Sequence, residues 1–327
     1  LEDIERITIS GAGAERLVTL ERQADGWVVV EQDGYPADFA KVRQLLVGLA
    51  EAEIVEEKTA NPDFYARLGV EPVATPDAGG LEIGLQTSSG TGFDIVLGAP
   101  YGSDERYARI ADALQSVLID RNPDVPREPS QWVVTEIVDI PSSRIRRVEV
   151  RHDDGERLVI HKSEPAEANF AVDGVPDGRE LQYEGVANVT GNLLSGLSLE
   201  QVAAAEGASA GDVPAADDEA AAADGTAALV ADFHTFDGLV VTITADDSDP
   251  PWLTFRARTD ASAELDGESD EDAEAAEAAD VDLMAAATEA DALNARLAGW
   301  RFRIPAYQTN QLARRIDDLL AAVSADE

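Results

Sequence analysis

One short segment has the residue spacing of a serine nucleophile. Gly207, Ser209 and Gly211 fit the G-x-S-x-G pattern, in which the serine sits on a sharp turn between a strand and a helix. Such a turn needs an apolar strand directly before it, whereas this segment lies in a stretch rich in alanine and glycine. A chance match in low-complexity sequence explains the pattern better than serine catalysis, and we expect no catalytic residues.

The glycine-rich turns lack the context of a nucleotide site. Gly11 and Gly13 follow a predicted strand, but another predicted strand comes next, whereas a dinucleotide site needs a helix there. The phosphate-binding pattern G-x-x-x-x-G-K-[ST] does not occur in the sequence. We therefore expect no cofactor, and any ATP hydrolysis linked to this chain would belong to another polypeptide.

The candidate metal ligands do not converge on one motif. His152, His161 and His234 are separate in the sequence, and there is no cysteine to supply a thiolate. The acidic runs 246–249 and 266–272 carry oxygen ligands, but neither has the spaced ligands and terminal glutamate of an EF-hand loop. We expect no specific metal site, with loose association of cations as the alternative.

Arginine is concentrated at one place in the sequence. Arg144, Arg146, Arg147 and Arg151 form a local basic cluster, and alternation along a strand places Arg147 and Arg151 on one face. In so acidic a chain we expect these side chains to pair with nearby carboxylates. A docking site for an acidic partner is the functional alternative.

Carbohydrate chemistry is another possible class of function. Glycosidases use two carboxyl groups that lie about 5–10 Å apart across a cleft, and the sequence singles out no such pair among its many acids. Tryptophans can form a platform for sugars, although burial in the core is the default expectation. The four tryptophans are Trp27, Trp132, Trp252 and Trp300.

The composition is strongly acidic. The 327 residues carry a formal net charge of −40 at pH 7, and lysine occurs only at positions 41, 58 and 162. Such a surface repels phosphate backbones and anionic lipids, so we expect no nucleic-acid partner. The absence of cysteine excludes disulfides and thiol catalysis. Because Leu1 stands almost directly before a predicted strand, we expect an N-terminal leader or anchor that is absent from this chain.

The elements that would position these residues occur twice. An alternating apolar strand, a strand beginning Glu-Arg-Leu-Val, a third strand and a helix with Leu-Leu-x-Gly-Leu appear in residues 4–54 and again in residues 145–202. A period of about 140 residues is too long for a solenoid or a propeller. We predict an α+β protein of two duplicated units, 1–139 and 140–327, each an antiparallel sheet packed with one or two helices.

Local signals predict where helices begin. Asp38 is a predicted N-cap, because its carboxylate can accept hydrogen bonds from the first exposed N–H groups of a helix. Asn61 and Pro62 start a shorter helical turn. Further helices are predicted at about 184–196, and at 312–323 with Thr309 or Asn310 as the cap.

Several longer motifs resemble those of a known family. They are Tyr35-Pro36-Ala37-Asp38, Lys58-Thr59-x-Asn61-Pro62-x-x-Tyr65-x-x-Leu68-Gly69, Ser130-Gln131-Trp132, Thr235-Phe236-Asp237-Gly238-Leu239 and Trp300-x-Phe302-x-Ile304-Pro305-x-Tyr307. Together they resemble the DUF4340 domain family. The resemblance covers nearly the whole chain apart from two acidic, alanine-rich insertions near 203–228 and 261–290.

The resemblance implies a role without catalysis. Members of this family have no established activity, typically carry an N-terminal transmembrane anchor before an extracytoplasmic region, and accompany components of gliding-motility-type ABC export systems. It implies a periplasmic accessory or binding domain, tethered to the inner membrane, whose partners are ABC transporter subunits or other envelope proteins. The alternatives are a periplasmic or secreted hydrolase acting on glycans and a purely structural envelope domain.

A partner-specific surface is expected where the two repeats differ, at residues 35–69 and at the rims of the insertions. Shared elements serve as scaffold in both copies, so differences between the copies are better candidates for recognition. The candidate residues are Tyr35, Asp38, Asn61, Tyr65, Arg147 and Arg151.

Overall fold

The fold combines α-helices with antiparallel sheets, which confirms the predicted α+β class. The residues described by the structure, a computed structural model, are 3–24, 26–205, 227–260 and 273–322, with the backbone alone for 273–282. The chain divides into two compact units, Leu1–Val134 and Thr135–Glu327; the predicted boundary followed residue 139. Among the described helices, none combines the length and the apolar character needed to cross a membrane.

The first unit is built on a nine-stranded antiparallel sheet, sheet 1. In chain order its strands are β1 Ile4–Gly11, β2 Glu15–Gln23, β3 Gly26–Val29, β4 Tyr35–Pro36, β5 Ile54–Glu57, β6 Leu81–Thr87, β7 Gly92–Tyr101, β8 Glu105–Ile110 and β9 Ser116–Ile119. Their order in the sheet is β4-β3-β2-β1-β6-β7-β8-β9-β5. The three successive strands predicted at the start of the first repeat are confirmed as the antiparallel strands β1, β2 and β3.

Alternation gives sheet 1 one apolar face and one polar face. Ile7, Ile9 and Ile83 lie on the apolar face and are fully buried. Thr8 and Gly84 are paired between them and lie on the polar face, because successive side chains of a strand point to opposite sides.

Helix α1, Phe39–Ala50, begins where the sequence predicts. The Asp38 Oδ1 atom accepts hydrogen bonds from the N–H groups of Ala40 at 3.0 Å and Lys41 at 3.4 Å. The helix buries Val42, Leu45 and Leu46, whereas Phe39 in its first turn is 62% exposed.

A short segment covers part of the polar face of sheet 1. It consists of a 3-10 turn, Pro62–Phe64, and helix α2, Tyr65–Leu68, which ends at Gly69 in a left-handed conformation. Tyr65 and Val70 of this segment form a small buried cluster with Val96 of β7. The predicted helical turn after Asn61 is therefore confirmed.

The second unit contains an eight-stranded antiparallel sheet, sheet 2, and a two-stranded sheet. The strands are β10 Glu136–Val138, β11 Ile145–His152, β12 Arg157–His161, β13 Ala171–Val172, β14 Leu197–Ser198, β15 Gln201–Ala204, β16 Leu229–Thr235, β17 Leu239–Ala245, β18 Leu253–Thr259 and β19 Trp300–Arg303. Sheet 2 has the order β13-β12-β11-β16-β17-β18-β19-β15, and β10 pairs with β14.

Two predicted helices of the second unit are wrong in extent. The helix predicted at 184–196 is reduced to one turn, α3 Asn188–Gly191. It contains the β-branched Thr190 and ends in glycine, both of which disfavour a longer helix. Gly196, with φ 66°, adopts a left-handed conformation that ends the predicted stretch.

The predicted final helix is displaced toward the N-terminus. Helix α5, Ala306–Leu312, follows Pro305 directly, and a separate 3-10 turn occupies Ile316–Leu319. Proline fixes the backbone for a helix start and lacks only an N–H that a helix start does not use. Thr309 and Asn310 therefore lie inside the helix and do not cap it.

The two sheets have the same strand order. When β4 is left out, the eight remaining strands of sheet 1, numbered along the chain, stand in the order 3-2-1-5-6-7-8-4. The eight strands of sheet 2, numbered in the same way, stand in that order as well.

The edge of β18 is occupied by a side chain from helix α4, Ala273–Leu297. Strand β19 pairs with β18 only between Phe302 and Leu253. Further along β18, the Asn294 amide donates to the Ala257 carbonyl at 2.8 Å and accepts from the Ala257 N–H at 2.8 Å. The amide thus satisfies backbone groups that an edge strand leaves open.

Glycine is required where the α2 segment crosses sheet 1. A Cβ atom on Gly98 would lie 2.2 Å from the Leu68 carbonyl oxygen, which no real contact tolerates. We therefore expect Gly98→Ala to lower the free energy of unfolding by about 2–4 kcal/mol, measured by urea denaturation.

Gly48→Ala is the matched control. This position lies within α1, and its Cβ atom would make an ordinary 3.4 Å contact with Pro123. Alanine is the better helix former, so the control should stabilise the unit by up to about 1 kcal/mol. Equal shifts of the two urea midpoints would contradict the close backbone approach at Gly98.

Candidate functional site

Four of the predicted partner-surface residues have structural roles in the first unit. Tyr35 and Tyr65 are 2% and 3% exposed, so their side chains belong to the core and not to a surface. Asp38 caps α1, and the Asn61 Oδ1 atom accepts from the Asp63 N–H at 3.1 Å. The Tyr-Pro-Ala-Asp and Asn-Pro-x-x-Tyr motifs thus start helical turns.

A buried arginine, which sequence analysis did not identify, fixes the α2 segment. The Arg109 guanidinium donates to the carbonyls of Val70 at 2.8 Å, Ala111 at 2.5 Å and Ala113 at 3.0 Å, and lies 4.9 Å from the Tyr65 ring centre. The Tyr65 hydroxyl donates to the Leu114 carbonyl. Hydrogen bonds offset the cost of burying this charge, so the motif around Tyr65 has a structural explanation.

The uncovered part of the polar face of sheet 1 forms an open concavity of about 430 Å³. Its lining includes Thr8, Ser10, Glu82, Gly84 and Asp94. Burial, followed by the negative charge of Asp94, raises the pKa of Glu82 above its ordinary value. A carboxyl group with a raised pKa therefore lies in the lining of this concavity.

The polar face of sheet 2 gathers seven arginines, and we call it the arginine face. The register of the strands places these arginine side chains on the same face of the sheet as Asp232 of β16 and Thr242 of β17. The seven are Arg147 and Arg151 of β11, Arg157 of β12, Arg256 and Arg258 of β18, and Arg301 and Arg303 of β19.

Two carboxylates hold one side of the arginine face together. Glu149 accepts from Arg151 at 2.9 Å and from Arg157, and it lies 3.5 Å from Arg147. Arg151 also donates to Asp232 at 2.6 Å. Arg147 and Arg151 thus share a face and pair with nearby carboxylates, as the sequence predicts.

Glu149 stays ionised within this group. Its side chain is only 12% exposed, and burial alone would raise its pKa. The hydrogen bonds from Arg151 and Arg157 outweigh burial and hold the pKa below its ordinary value.

The histidines of the second unit have separate neighbours. His161 Nδ1 lies 3.2 Å from Asp173, His234 Nδ1 lies 3.6 Å from Asp260, and His152 Nε2 lies 3.3 Å from a backbone carbonyl. Burial lowers the pKa of His234, which favours the neutral ring at pH 7. Within the part of the chain that the structure describes, no three metal-ligating side chains are grouped to hold an ion.

Arg144 lies apart from the arginine face. Its guanidinium donates to Asp237 at 2.6 Å and to Glu289 at 2.8 and 3.1 Å. These hydrogen bonds, with that to Glu289 the strongest influence, raise the pKa of Arg144. Asp237 of the Thr-Phe-Asp-Gly-Leu motif therefore helps to fix an arginine and helix α4.

Two of the four tryptophans lie in the core, one lies on the arginine face, and Trp300 is half-buried in β19. Trp27 and Trp132 are 8% and 0% exposed, as the default expectation had it. Trp252 is half-buried directly before β18, and the guanidinium carbons of Arg301 and Arg303 lie 4.8 and 4.3 Å from its ring centre.

Three further segments were candidates for catalysis or metal binding from their sequence. The G-x-S-x-G segment at 207–211 and the acidic run 266–272 fall outside the described residues. The acidic run at 246–249 forms a turn, in which Asp246 Oδ1 accepts from the N–H groups of Ser248 at 3.1 Å and Trp252 at 2.9 Å.

The family of the chain follows from one comparison. The model of the family described as Domain of unknown function (DUF4340) matches residues 27–223, more than half of the chain. The chain belongs to this family, as its motifs predict, although the match is shorter than the nearly complete coverage that they suggested. No curated protein and no solved structure matches the chain.

The ionised state of Glu149 has a measurable consequence. A lowered pKa stabilises the fold above the ordinary value of 4.5 and loses this effect as pH falls through the folded-state pKa. We expect Glu149→Gln to lower the free energy of unfolding by about 1–2 kcal/mol at pH 7. The difference from wild type should shrink below about pH 4.5, measured by thermal unfolding across a pH series.

Glu164→Gln serves as the control, because Glu164 is exposed and its carboxylate forms no ion pair with the described residues. This variant should unfold like wild type at every pH. A Glu149→Gln difference that persists unchanged at pH 3 would show that lost packing, and not lost charge pairing, causes the effect.

Proposed function

We propose that this chain is the non-catalytic binding domain of an extracytoplasmic accessory protein, tethered to the inner membrane, that serves an ABC-type export system. It contacts an acidic region of a transporter subunit or another envelope protein through the arginine face. The family membership supports the cellular setting, and the clustering of seven arginines on one sheet face is the observation that carries the contact.

The contrast with the rest of the chain supports this role. With a net charge of −40, most of the surface repels anions. A local group of guanidinium ions acts over about 10 Å or less at physiological salt, so it attracts carboxylates only after close approach. Such a surface favours a partner that is brought near by other means, such as a common membrane.

The chemistry of the face favours a protein partner over a nucleic acid or a lipid surface. Glu149 and Asp232 interrupt the positive charge between the arginines, so no continuous track for a phosphate backbone exists there. Arginine binds carboxylates in a planar, two-pronged geometry. Acidic side chains spaced along a protein segment match this pattern best.

We also propose that the two units arose by duplication. The repeated sequence patterns and the common strand order of the two sheets support this history. The paired positions Thr8 and Gly84 of sheet 1 then correspond to Glu149 and Asp232 of sheet 2. On this proposal the arginine face is a specialisation of the second unit.

The proposed contact is testable by cross-linking and affinity purification of the membrane-tethered protein. We expect wild type to recover identified subunits of an ABC transporter, and Arg147→Glu with Arg258→Glu to recover several-fold less, because close charge pairs at interfaces contribute strongly to affinity. Mass spectrometry measures the recovery.

Arg16→Glu with Arg43→Glu is the control of equal charge change, since both arginines are exposed in the first unit. It should recover as much as wild type. Absence of transporter subunits from the wild-type sample would contradict the proposal. Equal recovery by both double variants would favour a purely structural role for the arginine face.

A glycan-acting hydrolase is the second candidate, and one observation favours it. Glu82 has a raised pKa beside Asp94 in an open concavity, and a general acid of a glycosidase needs such a carboxyl group. If this role holds, wild type should release reducing ends from a cell-wall polysaccharide, and Glu82→Gln should reduce the rate at least about 100-fold. Our leading proposal expects no release by either protein.

A further inference from the structure

One end of the arginine face contains two arginines beside an aromatic ring. Leu253 of β18 pairs with Phe302 of β19, and both of these side chains are fully buried. Trp252, Arg301 and Arg303 are their chain neighbours and therefore lie on the opposite, polar side. The guanidinium carbons lie 4.8 Å and 4.3 Å from the indole ring centre.

These two guanidinium groups lack the carboxylate partners that Arg151 and Arg157 have. Within the described ranges, neither Arg301 nor Arg303 forms an ion pair, and Arg303 donates to the Gln201 side chain at 3.2 Å. The Nε atoms of both arginines are buried without a hydrogen-bond partner. The terminal nitrogens of Arg301 and the second terminal nitrogen of Arg303 are therefore the groups left to bind a ligand.

The neighbouring Asp246 is already used within its own turn. Its Oδ1 atom accepts from the Ser248 and Trp252 N–H groups. Burial raises its pKa, but these hydrogen bonds, with a contribution from the charge of Arg301, hold the pKa below its ordinary value. Asp246 thus fixes the position of Trp252 through its own turn.

Stacking on an aromatic ring prepares the arginines for recognition. A guanidinium over an indole face is held by cation–π attraction, so less side-chain freedom is lost when it binds a ligand. Its planar donors fit the two oxygens of a carboxylate. Since the two arginines occupy positions i and i+2 of one strand, they stand about 7 Å apart along it.

This separation equals the repeat of an extended peptide. Side chains at alternate positions of an extended segment lie on one face at the same spacing of about 7 Å. We propose that Arg301, Arg303 and Trp252 form a carboxylate-binding site for an extended protein segment that carries acidic residues at alternate positions. The site specifies which chemical groups a partner of the arginine face would present, and it rests on the binding role proposed above.

The test measures the anisotropy of a fluorescein-labelled peptide of alternating glutamate and serine. Wild type should bind it more tightly than a peptide of the same composition with all glutamates in one block. Arg301→Gln with Arg303→Gln should weaken binding at least about tenfold, because hydrogen bonds to charged groups are lost. Arg16→Gln with Arg43→Gln should bind like wild type.

A milder variant guards against loss of folding. Arg303→Lys keeps the charge but loses the planar pair of donors, so it should weaken binding by a smaller factor while its circular dichroism stays that of wild type. Unchanged affinity in the Arg301→Gln, Arg303→Gln double variant and in Arg303→Lys would overturn the proposal. Equal affinity for the alternating and the block peptide would also overturn it.

Competition separates protein carboxylates from other anions. Inorganic phosphate, vesicles of phosphatidylglycerol and a single-stranded oligonucleotide should displace the peptide poorly. Displacement by any of them at peptide-like concentrations would overturn the assignment to an acidic segment.

The affinity purification described above distinguishes this site from the wider function. If the Arg301→Gln, Arg303→Gln variant still recovers transporter subunits fully, the carboxylate site is wrong while the accessory role stands. If the peptide binds as expected but wild type recovers no transporter subunit, the accessory role fails and the site remains.

Discussion

The register of the antiparallel strands is the constraint on which both units depend. In β11, Val148 and Val150 are fully buried while Arg147, Glu149 and Arg151 lie on the other face. Because side chains alternate with a period of two, a slip by one residue would exchange these sets and bury three charged groups. The penalty for burying such charges far exceeds the worth of a few strand hydrogen bonds. The apolar and polar faces therefore enforce one pairing.

How much could be predicted depended on the range of the interaction. The Asp38 cap and the shared face of Arg147 and Arg151 depend on residues within a few positions, and both follow from spacing. Arg256 and Arg301 reach the same face only through the order of distant strands, which one sequence does not specify. The failed helix prediction at 184–196 has the same origin, since an apolar period cannot show which turns the tertiary structure permits.

The Asn-Pro-x-x-Tyr motif around Tyr65 illustrates how a sequence motif can be specific because it fixes local structure. Val70, which follows the closing glycine, offers its carbonyl to the Arg109 guanidinium, and Tyr65 stacks against that group. The carbonyls of Ala111 and Ala113, which follow Arg109 in the chain, complete its acceptors. Each of these features needs the others, because a buried charge with too few acceptors is costly. Arg109 stands far from the motif in the sequence, and its contacts with Val70 and Tyr65 reveal the connection.

The contact between Asn294 and the edge of β18 also bears on how the chain behaves outside its native state. An open strand edge is a template for pairing with other chains. If helix α4 detaches during synthesis or proteolysis, the N–H and carbonyl of Ala257 lose their amide partner. The second unit would then expose part of the edge of β18, where a strand of another chain could pair and start aggregation. In the native state, helix α4 therefore shields these backbone groups from pairing with a strand of another chain.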